Sequence, residues 1–184
     1  MNHLLEKTLS TEEIFKGNII QLRVEEVELP NGKTSLREIV KHPGAVAIIA
    51  LTAEKKLVLV RQYRKPLDMV IYEIPAGKLE HGEKPFDCVQ RELEEETGYK
   101  SDSIKHVQSF YTSPGFADEI VHVYYTDQLI SLENSAGLDD DEFLDVIEVT
   151  IDEAQKLIEE NKIYDAKTVY AVQYLQLKQC QGLL

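Results

Sequence analysis

The sequence predicts a mixed α/β (α+β) domain preceded by a small antiparallel β-ribbon. Residues 45–51 and 57–60 are almost continuously apolar, which is typical of strands covered on both faces of a sheet. Residues 85–97 carry apolar side chains at helical spacing. Along the chain, strands are followed by this helix, then by more strands and two further helices. That order favours a mixed sheet lying between helices.

Residues 1–43 are expected to form the ribbon. Residues 20–24 alternate between apolar and polar side chains, as a half-buried strand does. Segment 30–33, Pro-Asn-Gly-Lys, predicts a tight hairpin turn because Asn-Gly is a strong turn signal, and residues 36–40 form the return strand. A lone hairpin is only marginally stable in water, so this ribbon must pack on something else.

Residues 44–184 are expected to form the main domain. Pro85 suits the first turn of a helix, and Gly98 suits its C-terminal cap. The other predicted strands lie at 70–74, 104–111, 120–125 and 144–149, and the other predicted helices at 152–160 and 167–178.

The composition limits the possible partners and location. A net charge of −13 argues against nucleic acid or an anionic membrane surface as partner. The chain does not open with a basic segment followed by an apolar run, and no run approaches the length of a membrane span. Its two cysteines, Cys88 and Cys180, do not make a disulfide framework. A cytoplasmic protein is therefore expected, with Cys88 a packing residue rather than a nucleophile.

Three carboxylates on the predicted helix 85–97 share one face. Glu92, Glu95 and Glu96 stand at helical spacings of three and four. The neighbouring apolar stripe is Phe86, Val89, Leu93 and Thr97. Like charges so close are unfavourable unless a cation neutralises them, and oxygen-only ligands suit Mg²⁺ or Mn²⁺ better than zinc. The alternative is an ordinary solvated acidic helix.

The spacing around this helix resembles the Nudix box, the signature of Nudix hydrolases. The matching positions are Gly77, Glu83, Arg91, Glu92, Glu95, Glu96 and Gly98, and Tyr99 departs from the pattern because an aliphatic residue is usual there. The resemblance implies an α/β/α sandwich with a mixed sheet. It also implies Mg²⁺, for which Mn²⁺ can substitute, held by Glu92, Glu95, Glu96 and the carbonyl of Ala76. Arg91 is expected to pair with Glu83 and to serve the catalytic site.

Segments outside the box resemble those of ADP-ribose pyrophosphatases. They are 37–40, 42–46, 61–64 and 73–77, together with Pro114, which follows Gly98 at the spacing that marks this subfamily. The resemblance implies hydrolysis of ADP-ribose to AMP and ribose 5-phosphate. It also implies a homodimer that exchanges the N-terminal ribbon.

The same resemblance assigns roles to substrate-binding residues. Arg64 would contact phosphate, while Arg37 and Glu38 would help to hold the adenine end. The loop 113–119 would shape the pocket for the terminal ribose, with Ser113, Pro114, Gly115 and Glu119 as its candidate residues.

The catalytic base is expected in the acidic loop 139–142. The carboxylates that bind cations cannot easily accept a proton from the attacking water, and a mobile loop could close over the phosphates. Glu142 aligns with the base of similar proteins, and Asp140 and Asp141 are alternatives in the same loop. Glu95 is the alternative within the box.

Three other functions remain open at this point. One is a pyrophosphatase for other nucleoside diphosphate sugars, since substrate-selecting loops cannot be deduced from one sequence. Another is a non-catalytic sensor of ADP-ribose, although every carboxylate of the box is present. The third is a Ca²⁺-binding or acidic interaction protein, although the acidic loop lacks the glycine and spacing of an EF-hand.

Overall fold

The computed structural model describes residues 2–132 and 143–184. The chain divides into two compact units. The N-terminal unit comprises Met1–Gly44 together with Phe110–Ile120, and the main unit comprises Ala45–Ser109 together with Val121–Leu184. Phe110–Ile120 belongs with the first unit because it is bonded to the end of its last strand: Val40 donates its backbone N–H to the carbonyl of Phe116 over 2.8 Å.

The N-terminal unit contains a three-stranded antiparallel sheet. After a short 3₁₀ helix at Asn2–Leu4, its strands are β1 (Lys7–Lys16), β2 (Gln21–Glu28) and β3 (Thr34–Lys41), in the order β1-β2-β3. The predicted hairpin between β2 and β3 is confirmed, since the backbone N–H of Leu29 donates to the carbonyl of Lys33 over 2.7 Å. The sequence did not predict β1, and all ten of its residues are exposed.

The longer strands and the helices of the remaining chain agree closely with the predicted elements, whereas the short strands Ala76–Lys78, Tyr99–Lys100 and Ile130–Ser131 were not predicted. The strands are β4 (Ala45–Ala50), β5 (Leu57–Arg64), β6 (Met69–Glu73), β7 (Ala76–Lys78), β8 (Tyr99–Lys100), β9 (Lys105–Tyr111), β10 (Ile120–Thr126), β11 (Ile130–Ser131) and β12 (Leu144–Val149). The helices are α1 (Pro85–Thr97), α2 (Ile151–Glu159) and α3 (Ala166–Cys180).

These strands form a mixed sheet and two antiparallel ones. In the mixed sheet, ordered β7-β4-β10-β9, β4 runs parallel to β10 and antiparallel to β7. An antiparallel sheet has the order β12-β5-β6, and a two-stranded one pairs β11 with β8. The expected mixed sheet is therefore confirmed.

The central strands are covered by helices on both faces. In β10, Tyr124 meets Phe86 of α1, with ring centroids 6.4 Å apart. The next residue, Tyr125, meets Tyr174 of α3, with centroids 6.1 Å apart. Successive strand residues point to opposite faces, so α1 and α3 lie on opposite sides of this strand. The expected α/β/α layering follows, and no helix in the described part of the chain is long and apolar enough to span a membrane.

Helix α1 begins and ends as predicted, but its buried face differs from the expected stripe. Pro85 occupies the first helical turn, and Gly98 caps the C-terminus with a left-handed φ of 69°, its N–H donating to the carbonyl of Glu94. Phe86, expected in the core, is 45% exposed. The carboxylates of Glu92 and Glu96 are buried instead, with 7% and 5% of their surfaces exposed. The reading of this face as an ordinary solvated surface is therefore wrong.

Candidate active site

The turn at Ala76 and Gly77 lies directly against the carboxylates of α1. The backbone N–H of Ala76 donates to Oε2 of Glu96 over 2.9 Å. A Cβ at Gly77 would stand 1.8 Å from both Cδ and Oε1 of Glu92, so any side chain there would displace this carboxylate. Glycine at position 77 therefore allows the turn to approach the carboxylate closely. The turn and the helix thus enclose two acidic groups from opposite sides.

Arg91 lies at the centre of the acidic cluster. Its Nε and Nη2 donate to the two carboxylate oxygens of Glu83 over 3.1 and 3.2 Å, so the predicted pair is present. Its Nη1 is 2.8 Å from Oε1 of Glu92 and 2.9 Å from Oε2 of Glu95. The hydrogen bond from Arg91 lowers the pKa of Glu83 to about 2, and the same bond raises the pKa of Arg91 itself. One guanidinium therefore contacts three carboxylates and holds that of Glu83 in its charged form.

The chemistry of this cluster fits a divalent cation. Its donors are carboxylate oxygens on a rigid helix beside a backbone turn, and hard cations prefer such oxygens. Within residues 2–132 and 143–184, no three acidic, histidine or cysteine side chains converge as a metal-binding group. The reason is visible in the contacts, because Arg91 bonds Glu92 and Glu95 while Ala76 bonds Glu96. A bound ion would replace part of the positive charge that Arg91 now supplies to these carboxylates.

Cys88, in the same helix, is a packing residue. Its side chain is fully buried in the core cluster with Val89 and Leu93. Burial raises the pKa of its thiol to about 12, and the neighbouring charge of Glu83 adds to this. Because the thiolate is the nucleophilic form, this cysteine is unreactive at neutral pH.

Arg64 belongs to a buried ionic network that the sequence did not reveal. Its Nε donates to Oε2 of Glu73 over 2.7 Å, and Glu73 is only 3% exposed. The ammonium of Lys167 in α3 contacts the other oxygen of Glu73 and also bonds Oδ1 of Asp165 at 2.9 Å. Burial opposes the charge on Glu73, but the two cations outweigh it and lower its pKa. The feature of the sequence that could have indicated this network is the single carboxylate, Glu73, in the otherwise apolar segment 70–74.

Arg37 and Glu38 lie on β3 of the N-terminal unit. Arg37 forms an ion pair with Glu6, with Nε 2.9 Å from Oε2, and its Nη1 donates to Oγ of Ser35 over 3.0 Å. Neighbouring residues of a strand point to opposite faces, so the side chains of Arg37 and Glu38 diverge.

The loop 113–119 is tied to the end of β3. Ala117 forms a parallel bridge with Val40, and Asp118 Oδ1 accepts the backbone N–H of His42 over 2.9 Å. The carboxylate of Asp118 also contacts the ammonium of Lys41. Thr112 donates its hydroxyl to Oε2 of Glu119 over 2.5 Å. Asp118 was not among the predicted residues, yet it fixes the loop that carries Ser113, Pro114 and Gly115.

The main unit also has an open cavity of about 770 Å³ beside β5, β6 and β12. The residues that line it include Arg61, Tyr63, Tyr72 and Phe143. None of the predicted site residues lines this cavity. The predicted base Glu142 and its alternatives Asp140 and Asp141 lie outside the described residues.

Comparisons with known proteins agree with the fold. A model of the NUDIX domain matches residues 41–171, and a model of the nucleoside diphosphate sugar hydrolase N-terminal domain matches residues 6–40. An ADP-ribose pyrophosphatase from Bacillus subtilis is 59% identical, with 97% of each chain covered. A methanol dehydrogenase activator from Bacillus methanolicus is 62% identical over 95% of this chain and 94% of its own. The crystal structure of an ADP compounds hydrolase, 18% identical, aligns with a TM-score of 0.83 over 97% of both chains.

Proposed function

Because this chain belongs to the Nudix hydrolase family, we propose that it hydrolyses the pyrophosphate bond of ADP-ribose, releasing AMP and ribose 5-phosphate. Nudix hydrolases use divalent metal ions, and Mg²⁺ is the ion proposed here, with Mn²⁺ able to substitute. The observation that carries the proposal is the buried acidic face of α1 closed by the turn at Gly77. The 59% identity to an ADP-ribose pyrophosphatase supports the substrate.

The metal ligands in this proposal are Glu92, Glu95, Glu96 and the carbonyl of Ala76. Divalent ions held there would neutralise the phosphates and make an attacking water more acidic. Arg91 anchors the carboxylates to the loop through Glu83, so that they stay aligned on one helix face. Fixed charges of this kind act on the transition state without reorganisation.

Substrate-binding roles are proposed for residues of each unit separately. Arg64 would bind a phosphate, since its Nε is already fixed by Glu73 and its side chain is 39% exposed. In the N-terminal unit, Arg37 and Glu38 are proposed for the adenine end, each from a different copy of the chain. Ser113, Pro114, Gly115 and Glu119 are proposed for the terminal ribose.

Glu142 is the proposed general base, which would accept the proton of the attacking water. The carboxylates of α1 are poorly suited to this role because they are committed to cations, whether Arg91 or a metal. Asp140, Asp141 and Glu95 remain the alternatives.

A substrate panel tests the proposed reaction. The protein is incubated with Mg²⁺ and with ADP-ribose, GDP-mannose, other nucleoside diphosphate sugars and nucleoside triphosphates, and the products are identified. ADP-ribose should show the highest kcat/KM and give AMP and ribose 5-phosphate in equal amounts. A preference for GDP-mannose would favour the alternative of a broader nucleotide-sugar pyrophosphatase. Binding of ADP-ribose without products would favour a sensor.

A second candidate function is activation of a methanol dehydrogenase. The 62% identity to a methanol dehydrogenase activator favours it, and the two functions share one site if activation requires hydrolysis. The test adds the protein to such a dehydrogenase and measures the rate, with Glu96→Gln as the control. Stimulation by the wild type but not by Glu96→Gln would link activation to the acidic cluster. No stimulation by either would remove this candidate.

The protein is further proposed to be a cytoplasmic homodimer. Among the described residues of the N-terminal unit, Val27 is the only buried hydrophobic side chain. Leu9, Ile14, Phe15 and Leu36 are exposed on its sheet. So little core is marginal for a three-stranded sheet, and a second copy would supply the missing apolar contact.

A further inference from the structure

Lys167 places a positive charge where its own helix disfavours one. It follows the N-cap Asp165 in the first turn of α3, and a helix N-terminus carries a partial positive charge. Its side chain is only 15% exposed. The two carboxylates of Glu73 and Asp165 offset this cost. A lysine in such a place is explained by its partners rather than by its helix.

The two oxygens of Glu73 serve different cations. Oε2 accepts from Nε of Arg64 over 2.7 Å, while Oε1 accepts from the ammonium of Lys167. An arginine and a carboxylate ordinarily pair through two parallel hydrogen bonds. Here Lys167 bonds the second oxygen, and Arg64 bonds Oε2 alone. In the described part of the chain, no other hydrogen bond of the Arg64 guanidinium is found.

We propose that Lys167 is a positioning residue, which draws Oε1 of Glu73 towards its own ammonium and so keeps Arg64 from pairing with both oxygens. The terminal nitrogens of Arg64 then remain available for a phosphate of the substrate. This inference rests on the proposed function, in which Arg64 binds phosphate, and it adds a residue far from the box to the same site.

The surroundings hold this arrangement rigidly. The first turn of α3 is fixed to the end of β6, because Oγ1 of Thr168 accepts the backbone N–H of Ile74 over 3.0 Å. Asp165 caps the helix by accepting the N–H of Thr168 over 3.1 Å and holds Lys167 as well. Burial disfavours the charge of Arg64, but Glu73 and the nearby Glu96 outweigh it and raise its pKa. Arg64 therefore stays charged close to the acidic cluster.

The variant Lys167→Met tests this role because it removes the ammonium and keeps a side chain of similar length. Arg64 should swing into a two-bond pair with Glu73, and the KM for ADP-ribose should rise by about tenfold or more, with kcat within about threefold of wild type. Lys167→Arg, which can still occupy Oε1, should restore KM. Lys162→Met is the matched control, since it removes the same charge from a surface lysine paired with Glu160.

A crystal structure of Lys167→Met gives a second readout that does not depend on activity. Two hydrogen bonds between Arg64 and Glu73 would support the proposal. A single bond through Nε, as in the wild type, would overturn it, and so would an unchanged KM accompanied only by lower thermal stability. If Lys167→Met does not fold, Lys167→Leu makes the same test, since it also has no donor for Oε1. Absence of ADP-ribose hydrolysis by the wild type would refute the proposed function instead, and the crystal structure would still decide the role of Lys167.

Discussion

The replacement Gly77→Ala should lower kcat strongly while leaving the fold almost unchanged. The new Cβ would lie 1.8 Å from Cδ and Oε1 of Glu92, whereas non-bonded carbon atoms need about 3.5 Å. The flexible carboxylate must therefore retreat by roughly 1.7 Å. Misplacement of about 1 Å at a reacting centre costs on the order of 10²-fold. We expect kcat to fall by about 100-fold or more, equivalent to about 2.7 kcal/mol of transition-state stabilisation.

The stability of Gly77→Ala should change by less than about 1 kcal/mol. Alanine restricts the unfolded chain, which stabilises by about 0.4–1 kcal/mol, and a strained Glu92 rotamer costs about 0.5–1.5 kcal/mol. Gly82→Ala is the control, and for it we expect the opposite result, a loss of stability without a loss of kcat. Nothing lies within 4 Å of its new Cβ, but its φ of +79° strains any other residue.

Steady-state hydrolysis of ADP-ribose at saturating Mg²⁺, combined with thermal unfolding, separates the two variants. Gly82→Ala should lose about 1 kcal/mol of stability and keep its kcat. If Gly77→Ala retains kcat within threefold of wild type, Glu92 does not act from the position seen here.

Three further predictions concern other parts of the chain. Glu142→Gln should lower kcat by about 10²-fold with little change in KM, and an effect seen only in Asp140→Asn or Asp141→Asn would move the base within its loop. Because the pKa of Glu83 is lowered from 4.5 to about 2, the stability from its pair with Arg91 is complete above pH 4.5 and lost as the pH falls towards 2. Urea unfolding of wild type and Glu83→Gln should therefore differ most near neutral pH and converge in acid. Sedimentation should show a dimer that Phe15→Glu weakens, and a fully active wild-type monomer would exclude the dimer.

The elements that the sequence predicted are those whose signals are local. Pro85 and Gly98 set the ends of α1 through their own backbone preferences, and continuous apolar runs marked the buried strands β4 and β5. Strand β1 was missed because all of its residues are exposed, so burial imposes no alternation on it.

The features of the site that were missed depend on contacts between distant residues. Glu73 and Lys167 are 94 positions apart, and no helix or strand pattern links them. The burial of Glu92 and Glu96 likewise depends on the turn at Ala76, which the box spacing suggests without specifying its hydrogen bond. The roles of Arg37, Glu38 and the loop 113–119 stay predictions, since a substrate contact cannot be deduced from the position of a residue on a strand.

The position of Arg91 bears on whether the protein must bind metal before it can fold. Many small metalloproteins are unfolded without their ion, because only the metal relieves the repulsion among its ligands. Here the helix carries its own counter-ion, within 2.9 Å of both Glu92 and Glu95. The repulsion among these carboxylates is therefore relieved without a bound metal, and we expect the chain to fold without one. Chelation of metal ions by EDTA should then inactivate the enzyme reversibly while leaving its melting temperature nearly unchanged.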